Sequence, residues 1–256
     1  MTLRIDIVTL FPQMFQGPFD ESILKRAAQR GLLSINLHDL REFTTDRHQT
    51  ADDAPFGGGP GQVLTAPPVV VAVDHVLKDA RHDRGDAPDV ILLAAQGRPL
   101  TQHIAADLAR RNHLILICAH YEGLDDRVRQ HVATDSISIG DYVVTGGEIA
   151  AIVVVDAVAR LIPGVLGASA SLTEESMTGG MLEYPQYTRP AIYRGWKAPK
   201  VLLSGDHAAI ARWRRDESLR RTFSDRPDLL VGADLNQSDA STLSSLVTLT
   251  DATPLC

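Results

Sequence analysis

Three short aliphatic runs, each ending in a polar loop that carries glycine, constrain this chain more than any other feature. Residues 90–94 run into Ala95-Gln96-Gly97-Arg98-Pro99, and residues 114–118 run into Ala119-His120-Tyr121-Glu122-Gly123. Residues 137–139 run into Gly140-Asp141-Tyr142-Val143-Val144-Thr145-Gly146-Gly147-Glu148. Runs of this kind read as strands of a parallel sheet covered on both faces. In such a sheet the loops gather at the carboxyl ends of the strands, where ligands bind. Glycines between a strand and a helix let backbone groups come close to a flat ligand.

The rest of the sequence agrees with an α/β chain. Hydrophobic residues make up 44% and aromatic residues only 5%, so the core must be aliphatic. Residues 3–10 read as a strand, 20–30 as a helix with Asp20 as N-cap and Gly31 as its stop, and 32–37 as a second strand. The chain thus opens with a β-α-β unit. Helices are expected at 68–80 with Pro68 in the first turn, at 101–111 capped by Thr101, and at 148–162 stopped by Pro163-Gly164. One or two helical turns are expected at 125–130, and residues 81–88 read as a charged loop. Residues 41–61, with Asp52 and a glycine run that includes Gly59, form a polar stretch too long for an ordinary connection.

Several functions are excluded. The Rossmann G-x-G-x-x-G spacing is absent, as is a Walker Gly-Lys-Ser/Thr, which disfavours a dinucleotide or a nucleoside triphosphate and leaves room for a nucleoside without phosphates. Cys118 and Cys256 provide neither a disulfide framework nor a metal quartet and fit a reducing cytoplasm. His48, His120 and His207 have no ligand spacing, so no metal site is expected. The apolar stretch 149–155 is cut by Asp156, too short to cross a bilayer. Net charge is -7, so any nucleic-acid contact must use a local patch.

That patch lies beyond the segment 164–190, where Gly164, Gly167, Gly179, Gly180, Pro185 and Pro190 mark a linker. The linker carries Glu174-Glu175-Ser176 and Glu183-Tyr184, which a plain spacer seldom needs. A helix expected at about 206–222 bears Arg212, Arg214, Arg215, Arg220 and Arg221, with Arg226 just beyond. It reads either as a solvated face with internal ion pairs or as a phosphate-contact surface. A last helix is expected at about 239–249.

Taken in order, a set of motifs identifies a resemblance. They are Asp46-Arg47-His48, Pro55-Phe56-Gly57-Gly58-Gly59-Pro60-Gly61, Gln96-Gly97-Arg98, Tyr121-Glu122-Gly123, Ser138-Ile139-Gly140-Asp141-Tyr142 and Gly146-Gly147-Glu148. Asp156-Ala157-Val158-Ala159-Arg160, Ile162-Pro163-Gly164-Val165-Leu166-Gly167, Tyr187-Thr188-Arg189-Pro190 and Leu202-Leu203-Ser204-Gly205-Asp206-His207 follow. Over about residues 1–230 the chain resembles the bacterial tRNA (guanine-N1)-methyltransferases of the SPOUT superfamily, which modify guanine 37 beside the anticodon.

The resemblance implies a parallel α/β sheet with a deep trefoil knot and a small all-α C-terminal domain. The knotted donor-binding domain would span 1–163, the linker 164–190 and the tRNA-binding domain 191–256. It implies a cytoplasmic homodimer with a shared active site, tRNA as partner and no membrane. S-adenosyl-L-methionine would lie in the knot loops against Leu93, Gln96, Gly97, Ala119, Tyr121, Glu122 and Gly123. The third loop would add Ser138, Ile139, Gly140, Asp141, Tyr142, Val143, Val144, Gly146 and Gly147. Asp52, Gly59, Glu183, Arg189, Ser204 and Arg220 would face the tRNA. Mg2+ is a further cofactor on which the sequence is silent.

Arg160 matches the family arginine near the reacting guanine. The family's general base is an aspartate just before a serine in the linker; here that position is Glu175, one methylene longer, with Glu174 and Glu183 as competitors. The family's Tyr-Leu-Ser-Pro before Gln96 is Leu92-Leu93-Ala94-Ala95, its Cys-Gly-Arg is Cys118-Ala119-His120, and the usual Met after Gly61 is Gln62. Guanine N1 must lose its proton to attack a sulfonium methyl, so a carboxylate serves as general base. An arginine fork can hold the charge that develops on O6. The lost aspartate leaves open a catalytically weakened SPOUT-fold RNA-binding protein, or a SPOUT methyltransferase acting on another RNA. An oxidoreductase on an ordinary doubly wound sheet lacks its fingerprint.

Overall fold

The computed structural model describes residues 2–80, 87–166, 175–177 and 179–251. It divides into two compact units, Met1–Gly167 and Ala168–Cys256. The cut falls inside the expected linker, whose described residues 175–177 and 179–190 belong to the second unit.

The first unit is built on a five-stranded sheet of order β2-β1-β6-β5-β7. Its strands are β1 (Leu3–Thr9), β2 (Leu33–Asp39), β5 (Asp89–Pro99), β6 (His113–Cys118) and β7 (Asp135–Ser138), all paired parallel. Helices α1 (Ser22–Gln29), α2 (Ala66–Ala80), α3 (Gln102–Leu108), α4 (Asp126–His131) and α5 (Gly147–Ala159) connect and cover them. Alternation along β1 sorts the core into two layers. Ile5 and Ile7 pack in one cluster with Phe15, Leu24 and the α5 residues Val154, Val155 and Val158. Val8 packs in the other with Val69, Val73 and Val76 of α2. Both faces are buried, which is why the central strands read as unbroken aliphatic runs.

Local chemistry sets the element ends. Thr101 caps α3, its side chain accepting from the Ile104 N–H at 3.3 Å. Helix α2 begins at Ala66, two residues before the expected start, because its two prolines fall in a first turn that needs no N–H donors. Helix α1 begins after Glu21 instead of at Asp20, whose carboxylate accepts from the Gly17 N–H in the preceding turn. The 41–61 stretch is not bare loop. A 3₁₀ turn occupies Leu40–Phe43, and β3 (Asp52–Asp53) pairs antiparallel with β4 (Val63–Leu64). Most of the charged loop at 81–88 lies outside the described residues.

A buried carboxylate sits inside the sheet. Asp6 of β1 is fully buried and receives His113 Nε2 at 2.6 Å, His38 Nε2 at 2.7 Å and Arg4 Nε at 2.6 Å. Burial works to raise its carboxyl, but the hydrogen bonds from His113, His38 and Arg4 outweigh that and hold it far below the usual carboxylate range.

The second unit contains α6 (His207–Asp225), α7 (Gln237–Asp251) and a two-residue hairpin, β8 (Ile192–Tyr193) with β9 (Trp196–Lys197). The expectation of an all-α domain is therefore corrected. Arg194 and Gly195 both take positive φ, +53° and +86°, and form the tight turn that pairs the flanking aromatic residues. Asp206 caps α6 through the Ala209 N–H at 3.0 Å. Part of the expected linker is fastened to α6: the Leu182 N–H donates to Thr222 Oγ1 at 2.9 Å, and Ser218 Oγ donates to the Leu182 carbonyl.

Because the Asp6 carboxyl is held below its ordinary value of 3.8, its stabilisation is present above about pH 4 and fades as pH falls further. Asp6→Asn is expected to cost about 2–3 kcal/mol in urea unfolding at pH 7, with the gap to wild type narrowing at pH 3. An equal gap at both pH values would contradict this role.

Candidate active site

The sheet order places β6, β5 and β7 side by side, so the loops at their carboxyl ends meet. They enclose a cleft of about 250 Å³. The first wall is an excursion of β5. Leu93 pairs with Ile137, the chain bulges out through residues 94–97, and Arg98 returns to pair with Ile137 again. The second wall is the loop after β6, pinned by the Glu122 N–H on the Gln62 carbonyl (3.1 Å) and the Leu64 N–H on the Gly123 carbonyl (3.0 Å). The third is the loop after β7, in which Tyr142 folds back so that its hydroxyl donates to the Ile139 carbonyl at 3.1 Å.

The second and third walls are joined through backbone. The Gly147 N–H donates to the Ala119 carbonyl at 2.6 Å. A Cβ on Gly147 would lie 2.7 Å from Cys118 Cα and 2.8 Å from the Ala119 nitrogen, backbone that cannot yield. Burial pushes the Cys118 thiol up, and neighbouring Glu148 adds to it, so this cysteine is an inert packing group.

Of the residues expected to hold the donor, Leu93, Gln96, Ala119, Tyr121, Glu122, Gly123, Ser138, Ile139, Gly140, Tyr142, Val143, Val144, Gly146 and Gly147 line this cleft. Gly97 and Asp141 do not. Gly97 works from behind: its Cβ would fall 2.5 Å from the Ile137 backbone, so glycine lets β5 close its bulge against β7. His120 and Thr145, within the expected loops, also line it, and unanticipated lining residues include Asp126 and Arg129. Arg129 Nε bonds Asp126 Oδ1 at 2.6 Å, and that hydrogen bond lowers the Asp126 carboxyl. Beneath the cleft, Glu148 is completely buried, bonded by Thr9 Oγ1 at 2.8 Å and facing His120 Nδ1 at 3.1 Å. The signal for Glu148 was an acid in the first turn of an otherwise apolar helix, where the dipole favours it.

Arg160 is not at the cleft. It caps the C-terminal end of α5, about 20 Å along the helix axis from Gly147 at the N-terminal end. Asp52 lies in β3 of the first unit, and Gly59 in its exposed glycine run. Glu183, Arg189, Ser204 and Arg220 lie in the second unit. Ser204 is engaged locally, its Oγ donating to the Val201 carbonyl and accepting from the Asp206 N–H. The Glu183 carbonyl accepts from Arg221 Nη1 at 3.1 Å.

Glu175 lines a separate hollow of about 240 Å³ within the second unit, with Met181, Leu182, Tyr184, Arg214, Arg215 and Ser218. The Arg214 guanidinium lies over the Tyr184 ring at 4.7 Å. Glu174 is outside the described residues. The arginine cluster is partly neutralised: Arg215 pairs with Asp239 at 2.7 Å and Arg226 with Asp228 at 2.7 Å, while Arg220 stays exposed, 3.8 Å from Glu217. Among the described residues no three His, Cys, Asp or Glu side chains are grouped to hold a metal ion, and no helix is long and apolar enough to cross a membrane.

The sequence matches the family described as tRNA (Guanine-1)-methyltransferase TrmD over residues 3–232. It is 53% identical over 245 residues to the tRNA (guanine-N(1)-)-methyltransferase of Dehalococcoides mccartyi strain 195, covering 96% of this chain and 97% of that one. The enzyme of the same name from Pelotomaculum thermopropionicum is 54% identical, with 96% of each chain covered. That from Geobacillus kaustophilus is 56% identical over 228 residues, 89% of this chain and 91% of the other.

Gly147→Ala is expected to destabilise the first unit by about 2 kcal/mol, lowering Tm by roughly 4–8 °C, because a backbone contact must open. A melting curve that superimposes on wild type would show that the walls are not held together there.

Proposed function

The chain belongs to the tRNA (guanine-1)-methyltransferase family, and from that membership we propose that it methylates N1 of guanine 37 in tRNA, with S-adenosyl-L-methionine as donor. The observation that carries the reading is the three-walled cleft at the strand ends. The Gly147 contact brings backbone to its surface, as a flat nucleoside requires. Tyr121, Tyr142 and Val143 add exposed apolar surface at its mouth. S-adenosyl-L-methionine supplies an electrophilic methyl on sulfur when bound there. The protein's part is to hold and orient the two reactants and to deal with the proton on N1.

In this reading Glu175 takes that proton. Guanine N1–H is a much weaker acid than a carboxylic acid, so the transfer runs uphill unless the resulting anion is stabilised. Arg160 is assigned to the charge that develops on O6. A target base stacked in the anticodon loop must first be turned out to be reached.

The position of Arg160 bears on assembly. One α5 cannot bring both Gly147 and Arg160 to the same ligand, since they stand at its opposite ends. A homodimer with a shared site resolves this, the second copy supplying the arginine. Ile149 and Val153, one turn apart on α5 and 39% and 41% exposed, give such a partner an apolar stripe. The trefoil knot belongs to the same reading and rests on the family membership. The exposed arginines of α6, with Arg220 foremost, are assigned to the RNA backbone. A cytoplasmic location follows from the tRNA substrate.

Glu175→Gln is expected to lower methyl transfer to unmodified tRNA by about 10²–10⁴-fold. Donor binding, measured by calorimetry, should remain within about twofold. Near-normal turnover in this variant would remove Glu175 from the role of base and leave Glu174 and Glu183 as the next candidates.

A further inference from the structure

We propose that His120, paired with the buried Glu148, sets the preference of the cleft for the positively charged methyl donor over its neutral demethylated product. The inference rests on the assignment of the cleft to S-adenosyl-L-methionine and goes beyond it to a specificity determinant.

The pair is held on every side. Thr9 Oγ1 accepts from the Phe11 N–H at 3.0 Å, so its own proton is directed to Glu148 Oε1 at 2.8 Å. The other carboxylate oxygen faces His120 Nδ1 at 3.1 Å. The imidazole sits between Phe11, with ring centroids 4.5 Å apart, and Tyr121 at 4.9 Å. The contact exists because residue 146 is glycine: a Cβ there would lie 2.3 Å from His120 Nδ1 and 2.4 Å from Glu148 Oε2. His120 also forms part of the cleft wall.

The charge consequence is direct. Both donors to the Glu148 carboxylate are neutral when His120 is neutral, and the pair then carries one negative charge beneath the cleft. Protonation of His120 cancels it. A sulfonium in the cleft gains from the first state and loses in the second, whereas the thioether product, which lacks that charge, responds less. Other titratable groups nearby do not replace this effect. Asp126 is paired with Arg129, and Cys118 is a buried thiol. Glu122, the other carboxylate-bearing residue of the loop after β6, also lines the cleft wall and reaches toward Gly61.

The test is calorimetry on the full chain with S-adenosyl-L-methionine and S-adenosyl-L-homocysteine between about pH 5 and about pH 7.5. The quantity read is the ratio of product Kd to donor Kd. In wild type it should climb about five- to tenfold with rising pH. In His120→Gln it should stay near the high-pH wild-type value, and in His120→Arg near the low-pH value. Wild-type and His120→Gln curves that coincide would overturn the proposal while leaving the cleft assignment in place. Failure of both ligands to bind wild type at any pH would overturn the cleft assignment, and this proposal with it.

Discussion

Gly147 donates its N–H to the Ala119 carbonyl at 2.6 Å with no room for a side chain between the first turn of α5 and the end of β6. Much else in the first unit follows from that approach. It fixes where α5 starts, which places Glu148 under the cleft and its run of valines against β1 and β6. It draws the loop after β7 against the loop after β6, so two walls of the cleft share a floor. The third wall depends on a second close approach, at Gly97, where β5 closes its bulge on β7. Two glycines thus do the joining that side chains would do elsewhere, and they join backbone to backbone, the least yielding kind of contact.

The layout divides the proposed chemistry. Nearly all the atoms that could cradle a methyl donor come from one end of one sheet. The proposed base is carried by a different unit, in a hollow shared with Tyr184 and Arg214, and the proposed electrostatic partner of O6 stands at the far end of α5. Binding of the donor and activation of the base are therefore separable by mutation. Glu175, the proposed base, belongs to the second unit.

Much of this was legible in the sequence, for reasons that differ by element. The central strands were readable because burial on both faces makes them aliphatic throughout, and Thr101 marked its helix because a cap is local chemistry. Fourteen of the sixteen residues expected at the donor cleft line it, since loops at adjacent parallel strand ends must converge. Gly97 stands behind the cleft wall, and a glycine that serves strand packing looks the same in sequence as one that admits a ligand. The hairpin at Tyr193 and Trp196 was missed because two-residue strands carry no periodicity. The Asp6 network and the Glu148–His120 pair were invisible because each joins residues far apart in the chain, 107 positions for Asp6 to His113. No spacing rule reaches that far.

The central claim is that this cleft presents a methyl donor to one ring nitrogen of one tRNA base. The most direct measurement is mass spectrometry of nuclease digests of unmodified tRNA after incubation with the protein and S-adenosyl-L-methionine. A single added methyl is expected on the fragment containing guanine 37, with the nucleoside eluting as 1-methylguanosine. Unmodified tRNA, or a methyl on another base or another atom of that guanine, would contradict it.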